Sequence, residues 1–481
     1  MLSIPRKRFT LVMAIFCIFC RTSLAVAQNY HAIHGSPYAG AAGIFNNPAS
    51  PVTSLHKWNL NLFAFQAGIS TNMLTVQNLK IPSFSNTTIQ FTQGAQNRWA
   101  HQVLDLNLFN AMYQLNKKHA ISAGLRIRTY NHVHGGSFNM NDSITSIKDF
   151  LILNRATPFL QGNTIHSAWL EGNLNYSTVL KENENGKLTG GITLQIMKNV
   201  SGAYIKVNKV SYLETIYPSD TLYSFTEGFG SFAYSANYDA TSNTINTQGN
   251  IKAVLNNSLS SLGLSLGMEY LVYDKDAVVG EGAPIPYKWK LGVSIMDIGS
   301  HPYKTSKFTG QFSNPNTLLT NRDVADKLVN IASARDLRDS LATLFNSNTT
   351  LPEKFNIANP TRIILNVDRN LGNDFYLNAQ LNLNLRGTRT FAKLNSREIN
   401  LITITPRWET AYWGFYLPIQ YNTQGQFWMG TAIKAGPLVA GIHNIGLFKK
   451  ETQLNGGGYL MLSIYPFQKR NYASRLDCAT E

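Results

Sequence analysis

Gly263-Leu264-Ser265-Leu266-Gly267 has the spacing of a nucleophile elbow, which thrusts a serine out at a sharp strand-to-helix turn. Here Met268 to Tyr273 continue an apolar–polar alternation instead. A serine in mid-strand has no such turn, so Ser265 reads as a small inward residue that eases curvature or leaves space. His166 or His443 would have to serve as its base, and both are remote in sequence. His132-Val133-His134 puts two imidazoles on one face of a strand end, as a metal would use. No third ligand follows nearby, so neither a metal nor a cofactor is expected. There is also no phosphate-binding glycine loop, no dinucleotide fingerprint and no cysteine cluster. The chain is therefore not expected to be an enzyme. The remaining chemistry lies in Arg126, Arg128, Glu269, Asp368 and Arg386, each on the polar parity of a strand-like run. Such residues either line a water-filled path and set its selectivity, or pair into ion networks that stiffen a packed wall. Both readings stay open. Asp297 shares the parity of Leu291, Val293 and Ile295. A charge facing lipid at mid-depth is costly, so Asp297 is expected beyond the apolar band.

The elements that hold these residues are strands. Phe375 to Arg386 is the clearest: Leu377, Ala379, Leu381, Leu383 and Leu385 fall on one parity, and Tyr376, Asn378, Gln380, Asn382, Asn384 and Arg386 on the other. A strand sends alternate side chains to opposite faces, so one face is aliphatic and the other polar. The same alternation runs through Trp58–Ala64, Leu104–Leu108, Ile121–Arg128, Leu264–Tyr270 and Ile363–Asp368. Further strand-like runs cover 163–181, 187–213, 221–239, 287–300, 302–312, 397–409, 411–423, 426–437, 438–447 and 456–467. Charged residues make up only 14% of the 481-residue chain, against 44% hydrophobic. That is too little charge to coat an ordinary soluble surface. A wall with lipid outside and water or protein inside fits, closed because strand edges cannot face lipid. The expected fold is a closed antiparallel transmembrane β-barrel of fourteen to sixteen strands, with an N-terminal plug-like coil and one helix in an outer loop.

Long connections near 77–100, 133–162 and 313–358 alternate with short ones at 116–118, 182–187, 299–301, 371–373 and 435–437. Residues 240–261 break this alternation: either a strand is miscounted, or a segment such as 250–261 folds inside as a helix. Asn321 to Phe345 carries Val324, Leu328, Ile331, Leu337, Leu341 and Leu344 at helical spacing, with Asn321 as N-cap. It reads as a cap over the mouth or a packed loop helix. All seven tryptophans lie at or beside candidate strand ends, as expected at a membrane boundary.

Residues 1–27 read as a secretory leader, from Arg6-Lys7-Arg8, the apolar run Leu11–Cys20 and the small-residue site Ala25-Val26-Ala27. Removing it leaves Cys478 alone, so no internal disulfide is expected. Residues 28–55 form the plug or coil, rich in Gly, Ala, Ser and Pro; 56–467 form the barrel and 468–481 a tail. Net charge is +15, but no basic patch interleaves with aromatics, so nucleic acid is not expected as a partner. Contact with outer-membrane lipid and lipopolysaccharide, attraction of anionic solutes into a pore, or simple solubility of the loops would each account for the charge.

Tyr38-Ala39-Gly40 and Asn47-Pro48-Ala49 resemble the N-terminal segment of FadL-type outer-membrane transporters. Over most of the chain, Gly263–Tyr270, Tyr287–Gly299, Leu351-Pro352, Thr405–Glu409 and Lys434–Leu438 are similar to an uncharacterised outer-membrane family, a domain of unknown function. The resemblance implies a barrel plugged from the periplasm, with Asn47, Pro48 and Ala49 in the plug; it brings no substrate and no catalytic residues. The tail after Phe467 departs from the usual terminal aromatic of such barrels. The expectation is a channel or passive transporter in the cell outer membrane for a small hydrophobic or amphipathic solute. The barrel-assembly machinery would be a partner, and an envelope protein a further one. The alternatives are a structural or secretion-associated partner barrel with a packed lumen and, further off, a lipid hydrolase.

Overall fold

The computed structural model describes residues 31–79, 86–218, 220–241, 247–274, 287–329, 331–386 and 393–465. Residues 1–27 and 468–481, read in sequence as a leader and a tail, lie outside the described residues. Alternation in the sequence becomes pairing in space, and the result is a closed 14-stranded antiparallel barrel.

The first five strands are β1 (Trp58–Thr71), β2 (Gln96–Asn116), β3 (His119–Phe138), β4 (Leu160–Asn183) and β5 (Gly186–Tyr217). The next three are interrupted: β6 (Asp220–Tyr234 and Ser260–Tyr273), β7 (Tyr287–Lys304 and Gly310–Pro315) and β8 (Phe345–Thr349, Lys354–Ala358 and Arg362–Gly372). Then come β9 (Phe375–Asn384), β10 (Leu401–Glu409), β11 (Trp413–Tyr416 and Ile419–Asn422) and β12 (Phe427–Met429 and Thr431–Ala435). The wall ends with β13 (Leu438–Ile442) and β14 (Gly456–Ile464), and β14 pairs back onto β1 through Leu60↔Ile464 and Asn61↔Ser463. Closure gives every strand a neighbour on both sides, which a wall in hydrocarbon requires. On β9 the parity splits as its sequence dictates: Leu377 and Leu383 are exposed outside, and Asn378, Gln380 and Asn382 are buried inside. Leu125, Leu174, Ile192, Leu194, Leu291 and Ile404 continue the outward aliphatic face.

The strand number falls to fourteen for two reasons. Residues 235–259 are not a turn; they interrupt a single strand. β6 leaves β5 at Ala203↔Tyr234 and rejoins it at Lys198↔Ser260, on the same side and in the same direction. The insert carries the helix Thr247–Asn257. It is pinned by Asn237, whose Nδ2 donates to the Val200 carbonyl at 2.6 Å and to Ser258 Oγ at 2.8 Å. Nor is Gly299-Ser300-His301 a turn. It continues β7, with Ser300↔Ala358 and His301↔Ile357 paired. A bulge there shifts the register between Ile295 and Ile298 and places Asp297 at φ 56°, and a bulge imitates a turn in sequence.

The single helix expected over 321–345 is two, Asn321–Leu328 and Ala334–Leu344. Thr320 forms a capping box with Asp323, and Ser333 caps the second helix by accepting from the Asp336 N–H at 3.1 Å. Two caps outweigh one continuous apolar stripe. Asn321 is therefore the first helical residue and not the cap; its Oδ1 accepts from the Tyr223 N–H at 2.9 Å. Both helices pack on rim strands. A further loop helix spans Ile147–Leu153.

Candidate functional site in the lumen

The inward parity of the wall is polar, and burial forces its charges to find partners. Arg126 and Arg128 of β3 both point in. Arg126 lies 3.6 Å from Asp105 of β2 and 3.8 Å from Glu171 of β4. Arg128 lies 3.6 Å from the same Glu171 and 2.9 Å from Asp297. Asp297 also pairs with Arg362 of β8 and accepts from Gln195 Nε2 at 2.8 Å. The expectation that Asp297 looks outward is thus wrong. The bulge adds one residue and reverses its parity, so it is 1% exposed and spans two guanidinium groups. Trp169 stacks on Tyr130, with ring centroids 5.5 Å apart, and its Nε1 donates to Glu171 at 3.0 Å.

A second network sits nearer the short-turn end. Arg407 grips Asp368 with two hydrogen bonds of 2.6 and 2.9 Å, the bidentate fork that fixes a carboxylate in orientation. It also donates to Glu409 at 3.1 Å. Glu409 gathers Lys434 at 3.4 Å, the Tyr416 hydroxyl at 2.6 Å and the Ser36 hydroxyl at 2.7 Å. Tyr287 and Asn378 complete the shell around Asp368.

Ser36 belongs to residues 31–55, which fill the lumen at this end as three short 3-10 turns, His31–Ile33, Gly40–Phe45 and Ser50–Thr53. Ala32, Ile33 and Ala42 pack against Tyr416, Val439 and Met461 of the wall, and Arg126 lies over the Phe45 ring at 4.3 Å. The hydrogen bonds to the wall each involve a side chain. His34 meets Gln380 at 3.0 Å; Asn59 accepts from the Ala41 N–H at 2.6 Å; Asn175 donates to the Pro48 carbonyl at 3.0 Å. Asn47 donates to the Met268 carbonyl at 2.9 Å, and Thr53 to Glu269 at 3.1 Å. Gly191 and Gly267 make room for them: a Cβ on Gly191 would strike the Pro48 backbone, and one on Gly267 the Asn47 side chain. From the opposite end, residues 393–400 of the β9–β10 loop also turn inward. Asn395 bridges Ala358, and Glu398 accepts from the Tyr130 hydroxyl at 2.5 Å beside Arg128 at 3.9 Å. The Arg397 N–H donates to His132 Nε2 at 3.0 Å. Against the N-terminal segment a cavity with room for about one water molecule is lined by Ile44, Phe45, Arg126, Glu171, Ser265 and Asp297.

Of the residues singled out in sequence, Arg126 and Arg128 share Glu171, while Glu269 and Asp368 sit in the plug contacts and the second network. Arg386 stands apart, half-buried just past β9, with one long contact of 3.5 Å to Thr361 Oγ1. Asn47, Pro48 and Ala49 are all buried in the lumen. Ser265 is fully buried, and its Oγ accepts from the Asp297 N–H at 3.0 Å. Ser265→Ala is accordingly expected to cost about 1 kcal/mol of stability and to leave lipid composition unchanged; a changed lipid profile would revive the hydrolase reading. His132 faces in and meets His101 ring to ring, Nδ1 to Nδ1 at 2.8 Å. Among the described residues no group of three or more His, Cys, Asp or Glu is placed to hold a metal.

Trp169 and Trp428 depart from the boundary expectation: both are buried inside, because each sits on an inward parity within its strand. Asp105, Glu171, Arg362, Glu398, Arg407, Glu409 and Lys434 were not singled out in sequence. Inward parity was a usable signal for all but Glu398, which arrives on a loop.

A closed barrel with an aliphatic outside and a charged, plugged inside is a β-barrel of the membrane-spanning kind. The chain belongs to a family of unknown function, DUF5723, whose model matches residues 48–442. No curated protein matches it. Among solved structures it is similar to a FadL homologue of Pseudomonas aeruginosa, at 11% identity and TM-score 0.39 over 92% of this chain and 98% of that one. It is also similar to the toluene transporter TodX of Pseudomonas putida, at 10% identity and TM-score 0.34 over 92% and 99% of the two chains.

Proposed function

We propose that the protein is an outer-membrane barrel that passes a small hydrophobic or amphipathic solute passively, with residues 31–55 and 393–400 closing its two ends at rest. The observation that carries this reading is how the N-terminal segment is held. It joins the wall through hydrogen bonds that each involve a side chain and through one small apolar cluster, and among the described residues it forms no strand pairing with the wall. Such a segment can leave without unzipping the barrel, and each lost bond is replaced by water at a net cost of only about 1 kcal/mol. Deleting residues 28–50 from the purified, folded protein is expected to open measurable conductance in planar bilayers and solute flux into liposomes. A folded deletion variant with neither would end the transport reading.

Glu398→Gln tests the other closure. Loss of a charged hydrogen bond is worth about 2 kcal/mol, or roughly a thirtyfold shift toward an open loop. Single-channel recording is expected to show more frequent openings; an unchanged open fraction would mean that Glu398 does not hold the loop shut. A packed partner barrel is the second reading, favoured by the two buried ion networks. It predicts stable co-purification with another envelope protein and no flux in either variant.

A further inference from the structure

On the loop-end half of the wall, β7 and β8 pair in the order His301↔Ile357, Pro302↔Asn356, Tyr303↔Phe355 and Lys304↔Lys354. His301, Tyr303, Phe355 and Ile357 are buried. Alternation therefore sends Lys304 and Lys354 outward, and both are exposed. The outward residues of β7 run Leu291, Val293 and Ile295, then Ser300, Pro302 and Lys304. The lysines thus stand past the end of the aliphatic run. Directly opposed like charges on an antiparallel pair repel, with Cβ atoms only about 5 Å apart. Among the described residues neither lysine makes an ion pair or a side-chain hydrogen bond.

More positive charge follows in the chain. Lys307, Arg335 and Arg338 crowd the Phe308 ring at 5.2, 4.4 and 5.9 Å. Arg338 is compensated by Asp339 at 2.6 Å and by the Lys307 carbonyl at 3.2 Å. Lys307 and Arg335 have the ring but no carboxylate partner among the described residues. Of the nearby acids, Asp239 already accepts from Tyr234 and Ser306, both at 2.7 Å. Glu353 precedes Lys354 in the chain without pairing with it.

We propose that Lys304 and Lys354, flanked by Lys307 and Arg335, form a binding site for the phosphate of a lipid headgroup on the outer face of the barrel. The site rests on the membrane reading above, but not on transport. A phosphate between two ammonium groups turns their repulsion into two attractions, and its lipid tail lies along the aliphatic face below. Headgroup depth supplies such an anion continuously; bulk water supplies it only as a free ion.

The test uses the full barrel in zwitterionic detergent, titrated with bisphosphorylated lipid A, monophosphorylated lipid A and inorganic phosphate, and read by native mass spectrometry. Binding of either lipid is expected to be tighter than that of inorganic phosphate, because one phosphate fills the gap between the lysines and the tail adds apolar contact. Lys304→Gln with Lys354→Gln is expected to weaken it about thirtyfold, on the scale of the charge each lysine contributes near a membrane surface. Added salt should reduce the difference between wild type and variant, because exposed charges are screened. Heat-modifiable gel mobility checks that the double variant is folded, and Lys307→Gln with Arg335→Gln, expected to give a smaller loss, tests the flank separately. Equal affinity of wild type and double variant would overturn the site. Competition by millimolar inorganic phosphate as effective as the lipid would show a free-anion site and overturn the lipid assignment. If the membrane reading itself were wrong, the chain would stay soluble without detergent, an outcome distinct from all of these.

Discussion

Asp297→Ala is expected to destabilise the barrel by about 3–5 kcal/mol, the usual cost of stripping one partner from a buried ion pair. The carboxylate bridges Arg128 and Arg362, which are 1% and 2% exposed and lose their common counter-charge together. Arg128 keeps Glu171 at 3.6 Å and Glu398 at 3.9 Å, so Arg362 carries most of the loss. Trp169 stacks on Tyr130 beside the site, so its fluorescence should report the change directly. The measurement is the denaturant midpoint in detergent, with heat-modifiable mobility as the check on folding. Asp297→Asn, whose side chain tolerates φ 56°, combined with Arg362→Leu should cost less than Asp297→Ala alone, because Arg128 keeps Glu171 and Glu398 and no guanidinium is left without a carboxylate. A midpoint shift worth under about 1 kcal/mol would mean that the network does not hold the wall.

Gly191→Val should expel the N-terminal segment. The new side chain would occupy the space of the Pro48 carbonyl and the Ala49 nitrogen, which are backbone atoms and cannot swing aside. Overpacking of this kind costs about 1–3 kcal/mol. The segment's side-chain hydrogen bonds to the wall give it a cheaper route, which is to leave. Valine favours strands, so β5 itself should persist. The expected result is protease cleavage within residues 31–55, with conductance approaching that of the 28–50 deletion and gel mobility unchanged. Protection equal to wild type would show that the segment yields in place, and the plug reading would fall. Gly267→Val meets the Asn47 side chain, which can swing aside, and the Pro48 ring, so it should act in the same direction with a smaller effect.

The wall was largely legible in the sequence and the site only partly. Alternation on β9, β3 and the second half of β6 named the outward residues correctly, since side-chain parity is a local property of an extended chain. Loop lengths gave the direction of most strands. Strand number went astray at 240–261 and 299–301, where an insert and a bulge imitate turns. Parity went astray at Asp297 for the same cause: one extra residue flips all that follows it. Arg126 and Arg128 could be found by type and parity, but not their carboxylates, which come from strands far away in the chain. Glu398 carried no local signal at all.

By itself the sequence determined a lipid-facing aliphatic surface, a polar interior, and a Gly-, Ala- and Pro-rich lead-in with no strand pattern. Those follow from short-range periodicity and composition. Only the tertiary structure decided that the polar face is closed upon itself, with guanidinium groups matched to carboxylates and Asn47–Ala49 seated against two glycines. Periodicity says which way a side chain points; only closure of the barrel says what it meets there.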